Sequence, residues 1–226
     1  MKSIRIISTI LLLVLTGCGG NRHTDVTEEK LNSYSTVTDY FTREEIKDLA
    51  KLLDFFNEQI CITRGIDKKK IIECYDSFIE RIFEMANEGI IDFKIPFEEQ
   101  QEIYNQISDS LFHQIWGFDI GWKRNSRDTL KHLTYNRNGK YMKFLNKLGK
   151  EYDMIKICCE DFRLAGGVSP TWVGEIIMIK EKYNYDLNDM RLQLFVAINY
   201  LTWNDGLLRN KEYFDQLIKT RIESKL

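Results

Sequence analysis

If the folded part of this sequence carries out chemistry, two histidines, four cysteines and two poorly explained carboxylates are where it would reside. His113 and His132 fall in different predicted elements, and neither has a second histidine or a cysteine at ligand spacing, so no zinc centre is expected. His113 follows Phe112 at a predicted helix end, where a partly buried imidazole near free carbonyls is the simpler expectation than a catalytic one. Cys61 and Cys74 lie on the two arms of a predicted helical hairpin, similarly distant from its turn, which makes a disulfide across it geometrically feasible. Cys158 and Cys159 are adjacent within a predicted helix, point in different directions and should not bridge each other. The chain has no Cys-x-x-Cys pattern and shows no base that would lower a thiol pKa. Glu175, in the apolar surroundings of Gly174 and Ile176, and Asp119 are the carboxylates least accounted for by a solvated helix face. At the right separation such a pair could act as acid and base on a glycan. Neither a nucleophile elbow nor a P-loop or dinucleotide glycine pattern accompanies them, so no catalytic residue, metal or cofactor is assigned.

Binding has the stronger signal. Trp116-Gly117-Phe118-Asp119-Ile120-Gly121-Trp122-Lys123-Arg124 concentrates rigid aromatics beside a guanidinium, the residue types that dominate recognition hot spots. Trp116, Phe118, Trp122 and Arg124 are the candidate binding surface for a protein or glycan partner. The competing expectation is that Trp116, Phe118, Ile120 and Trp122, in alternation, tuck an irregular connection onto the core.

The elements that position these residues read as all-α. Hydrophobic residues make up 43% of the chain, and the 2 prolines and 13 glycines are too few for an all-β chain with frequent turns. Thr42-Arg43-Glu44-Glu45 has capping-box spacing, and Ile46, Leu49, Leu53, Phe56 and Ile60 follow on one helical face until Arg64-Gly65. Further apolar stripes predict a helix opening after Asp67 and ending at Gly89, one from Pro96 to about Ile115, one from Tyr141 to Phe162 closed by Gly166-Gly167, and one through Ile176, Ile179 and Tyr183 after Ser169-Pro170, with a strand over Val173 and residues 176–179 as the alternative. A markedly apolar helix capped by Asn188 runs over residues 190–203 to Asn204-Asp205-Gly206, and a last one begins near Asn210. Residues 90–95 read as a linker or at most a short strand, and residues 117–139 as the longest irregular stretch, with a helical turn over 129–135. The expectation is one all-α domain of six or seven packed helices over residues 42–226.

Lys2 and Arg5, an apolar run over residues 6–15 and the ending Leu15-Thr16-Gly17-Cys18 form a secretory signal too short to span a bilayer. The ending resembles the lipobox of bacterial lipoproteins. That resemblance covers the signal alone, and it implies cleavage after residue 17 and a lipidated Cys18 anchored in the bilayer by two or three acyl chains. Gly19 in place of an acidic residue is similar to the pattern sorted to the outer rather than the inner membrane. Residues 18–41, polar at first, read as a flexible tether holding the domain some 25 Å off the lipid, at about 5–6 Å × √n. Tyr34, Val37, Tyr40 and Phe41 are positioned to dock its far end. With Lys2 and Arg5 removed from the 32 basic residues, 30 stand against 34 acidic ones, and no basic run offers a nucleic-acid footprint. The functional expectation is a non-enzymatic, membrane-anchored envelope module that binds or scaffolds a partner, an immunity-type inhibitor being its narrower form. The alternative is a hydrolase acting on envelope glycan or peptide.

Overall fold

Thr42 opens the helix against which the described segments on either side of it pack. A computed structural model of the chain describes residues 22–88, 95–123, 126–165, 174 and 186–223. In it the Thr42 hydroxyl accepts from the Glu45 N–H while the Glu45 carboxylate accepts from the Thr42 N–H, completing the capping box of α3 (Arg43–Ile62). The same carboxylate takes the Lys140 ammonium at 2.7 Å and so ties this helix start to α7 (Lys140–Leu148). Gly65 (φ 62°) ends the segment, a 3₁₀ turn (Lys68–Lys70) follows, and α4 (Ile71–Glu88) folds back. Cys61 and Cys74 form a disulfide across this hairpin, with their Cα atoms 5.0 Å apart.

The described residues contain ten α-helices and one two-stranded sheet, so the fold is mostly α rather than all-α, with more helices than six or seven. Two of the extra helices arise by division. The helix predicted from Pro96 to Ile115 is two, α5 (Phe97–Gln106) and α6 (Asp109–Ile115), because Ile107 is extended and Ser108 accepts from the Leu111 N–H as a new cap. The helix predicted from Tyr141 to Phe162 divides at Gly149 into α7 and α8 (Asp153–Ala165).

Two more helices lie within the expected tether. From Arg22 onward that segment is ordered onto the body: α1 (Arg22–Asn32) and α2 (Ser35–Thr38) precede Thr42. Leu31 and Val37 are fully buried, the Thr27 hydroxyl donates to Asp54 Oδ1 at 2.6 Å, and Phe41 meets Phe144 edge-on. Polar composition suggested a coil, but tertiary contact along one face of a short helix outweighs weak intrinsic preference. Docking of Val37 and Phe41 agrees with the sequence. Cys18, Gly19 and the rest of the signal lie outside the described residues, as do residues 89–94, Gly166-Gly167, Glu175 and nearly all of the helix expected after Ser169-Pro170.

The central helix, α9 (Met190–Arg209), is capped by Asp189, one residue after the expected Asn188, and is buried on most of its circumference. It runs past Asn204-Asp205-Gly206 because those residues are held by the interior. Asn204 Nδ2 donates to Ile95 O and Gln100 Oε1, and Asp205 pairs with Arg209. Phe56, Phe78 and Tyr200 meet edge-on or tilted where α3, α4 and α9 converge, each phenylalanine contributing about 1.5–3 kcal/mol by burial. The last helix, α10 (Lys211–Glu223), follows at once.

Candidate binding surface on the hairpin

The stretch expected to be irregular is a β-hairpin. β1 (Trp116–Trp122) pairs antiparallel with β2 (Thr129–Tyr135), Trp116 opposite Tyr135 and Trp122 opposite Thr129. The physical reason is the alternation itself, since Trp116, Phe118, Ile120 and Trp122 recur with period two and fall on one face of a strand. Opposite them, on the same face, stand Tyr135, Leu133, Lys131 and Thr129.

That face is buried at one end and exposed at the other. Trp116 is 1% exposed, Phe118 44%, Ile120 64% and Trp122 70%. At the base the Trp116 indole N–H donates to Thr202 Oγ1 at 2.7 Å, and its ring packs 5.0 Å from Tyr104 and 5.3 Å from Phe112. The sheet therefore tucks its first residue into the core, as one reading of the alternation held, while the rest of the face remains outside.

α9 lies along the hairpin on the β2 side. Asn210 Nδ2, at its C-terminal cap, donates to Lys131 O at 2.9 Å, and a side chain at Gly206 would meet His132 Cβ. Gly139, the cap of α7, lies so close to the Gln114 carbonyl that a Cβ there would overlap it, which joins the end of β2 tightly to α6. Two cations flank the Phe118 ring: Lys131 Nζ is 4.0 Å and Arg209 Cζ 5.1 Å from its centroid. Arg209 is fixed by two 2.8 Å hydrogen bonds to the fully buried Asp205, which raise its already high pKa and keep it charged. Lys131, by contrast, makes no ion pair among the described residues.

Comparison of the chain with protein-family models, with curated proteins and with solved structures finds no match. The surface is therefore read from its geometry.

Of the residues singled out from sequence, Trp116, Phe118 and Trp122 share the face, Trp116 as a buried anchor rather than a contact residue. Arg124 lies outside the described residues. Ile120, Lys131 and Arg209 belong to the surface and were not singled out for it. The β-branched and aromatic pattern of Thr129-Leu130-Lys131-His132-Leu133-Thr134-Tyr135 was the missed signal for β2, whereas for Arg209 only the i,i+4 spacing from Asp205 hinted at a fixed guanidinium.

Acid/base chemistry finds less support. His113 and Asp119 line one open depression of about 570 Å³ between the hairpin base and the end of α6. His113 is exposed, not partly buried, and Asp119 Oδ1 is engaged by the Ile120 N–H at 2.8 Å. Among the described residues no group of three or more His, Cys, Asp or Glu side chains could hold a metal ion. Burial pushes the Cys159 thiol up to about 11 and the Cys158 thiol higher still, so both stay protonated and weakly nucleophilic.

Proposed function

We propose that this chain is a lipid-anchored module of the bacterial envelope that binds a partner through the tip of its β1–β2 hairpin. The observation that carries the reading is the exposure gradient: three large apolar side chains, Phe118, Ile120 and Trp122, stand in solvent on one strand face. A folded chain gains nothing for its own stability from leaving them there, and such patches mark contact surfaces. The partner is a protein or glycan, and inhibition of a secreted toxin is the narrower version. Lipid on Cys18 is the anchor in this reading, the outer membrane its favoured place.

The hydrolase reading draws on Asp119 and His113 sharing one depression. That depression is open, and catalysis of glycan cleavage needs two carboxyl groups flanking the bond. Replacing Asp119 or His113 with alanine separates the two, because only a hydrolase would lose turnover.

The test of binding places a photo-crosslinking residue at Ile120 in the full-length protein in cells. A discrete adduct should form, vanish with Trp122→Ser and leave the thermal unfolding curve unchanged. An absent adduct, or a Trp122→Ser protein that unfolds, overturns the proposal. For the anchor, Cys18→Ala should yield an unacylated precursor, and persistent acylation would refute lipid attachment there.

A further inference from the structure

The backbone of β1 narrows what the hairpin can bind. Lys123 N–H donates to Asp128 O and Asn136 N–H to Ile115 O, each at 2.9 Å, so the odd-numbered residues of β1 face β2 in the ladder. The even-numbered ones direct their N–H and C=O groups to the opposite edge. Trp116 N–H is taken by Phe112 O and Ile120 N–H by the Asp119 carboxylate at 2.8 Å. Among the described residues the remaining outward groups of Phe118, Ile120 and Trp122 have no partner, and no strand pairs with this edge. The apolar side chains and the unpaired edge thus belong to the same three residues.

Charge selects among occupants. Residues 116–137 hold five basic residues (Lys123, Arg124, Arg127, Lys131 and Arg137) against two acidic ones (Asp119 and Asp128), in a chain whose formal net charge is −2. Arg127, Lys131 and Arg137 make no ion pair among the described residues. A second copy of the hairpin would bring like charge against like, and antiparallel self-pairing centred on Asp119 would set two carboxylates side by side. A lipid interior would satisfy the side chains yet leave the edge N–H and C=O groups without partners, at several kcal/mol each. An extended acidic peptide satisfies all three demands.

We infer that β1 accepts an acidic segment of another protein as an added strand. Its apolar side chains alternate onto Phe118, Ile120 and Trp122, and its carboxylates, which project to the opposite face, are drawn by Arg137, which lines the depression beside Asp119, and by Arg127 at the turn. The Asp119 side chain occupies one edge donor until the segment displaces it, so it tunes affinity. This inference rests on the hairpin tip being the contact surface.

The test uses the full-length protein and a labelled synthetic peptide alternating isoleucine and glutamate, read by fluorescence anisotropy. Binding should be lost with lysine in place of glutamate, and should weaken about tenfold or more with Trp122→Ser or Arg137→Glu. Asp119→Ala should tighten it. Of two peptides N-methylated at every isoleucine or at every glutamate, one must fail, because one edge of an added strand carries all its pairing bonds. Equal binding of both refutes strand addition, although the Ile120 crosslink of the intact protein would survive. Indifference to peptide charge refutes an acidic partner. Trp122-dependent partition into phosphatidylglycerol vesicles without peptide binding would assign the face to a membrane instead, and concentration-dependent dimerisation lost with Trp122→Ser would assign it to a second copy. Each of these outcomes overturns the inference.

Discussion

Trp116 and Trp122 belong to one seven-residue strand, point to the same side of it and differ in everything their surroundings supply. At the base, α5, α6 and α9 close around the first indole, and a hydroxyl from α9 satisfies its N–H. At the tip no described element covers the second. The alternating pattern therefore serves two purposes along its length, attachment first and display afterwards. An aromatic repeat read as one functional unit merges residues whose loss would have opposite consequences.

The sharpest way to break the comparison is Trp116→Ala. It should cost about 3–5 kcal/mol in chemical denaturation, the range for truncating a large buried aromatic. A loss as small as that of a surface substitution would mean that the hairpin base is not part of the core. Next comes the disulfide, which closes a loop of sequence separation 13 between α3 and α4. Cys61→Ser with Cys74→Ser should lower stability by about 3 kcal/mol while leaving tip binding intact below the new melting temperature. Thr202→Val, which orphans the buried indole N–H, should cost about 1–3 kcal/mol, measurable as a shifted urea midpoint.

Acid should weaken the body in the same direction. Burial raises the Glu45, Asp48 and Asp189 carboxyls, but hydrogen bonds and charge from Lys140, Lys51 and Arg191 respectively outweigh it and hold all three below their ordinary values. Groups with depressed folded pKa values stabilise fully above the ordinary carboxylate range and lose that contribution as pH falls through it. The urea midpoint should therefore drop between neutral pH and about pH 3, and Lys140→Met should flatten the Glu45 part of the drop. Smallest of all, Trp122→Ala should change stability by no more than about 0.5 kcal/mol. A larger loss would make the tip part of the core after all.

Helices announced by local chemistry were legible. Thr42 with Glu45, the stop at Gly65 and the apolar circumference of α9 all act within a few residues of themselves. What remained hidden depended on partners remote in sequence. α1 has little apolar periodicity and is held by Leu31 and Thr27 against α3; Asn204 and Asp205 look like turn formers until Gln100, Ile95 and Arg209 engage them. The hairpin was half legible: the alternation in β1 was plain, but its pairing with β2 was obscured by the glycines and asparagines around the two strands. For the candidate surface, three of four named residues fall on β1, and the cation contributed by α9 had no local trace beyond its spacing from Asp205.

The early onset of α1 alters the mechanics of the proposed anchor. Only Gly19, Gly20 and Asn21 separate Cys18 from Arg22, the first residue of a helix bound to the body. At about 3.8 Å between successive Cα atoms, that leash reaches no more than about 15 Å, well short of a twenty-residue coil. On the proposed anchor, a body held by so few residues would stay close against the lipid rather than tumble freely above it. It would pivot within a narrow cone, and its hairpin would search for partners in a thin layer parallel to the membrane instead of in three dimensions.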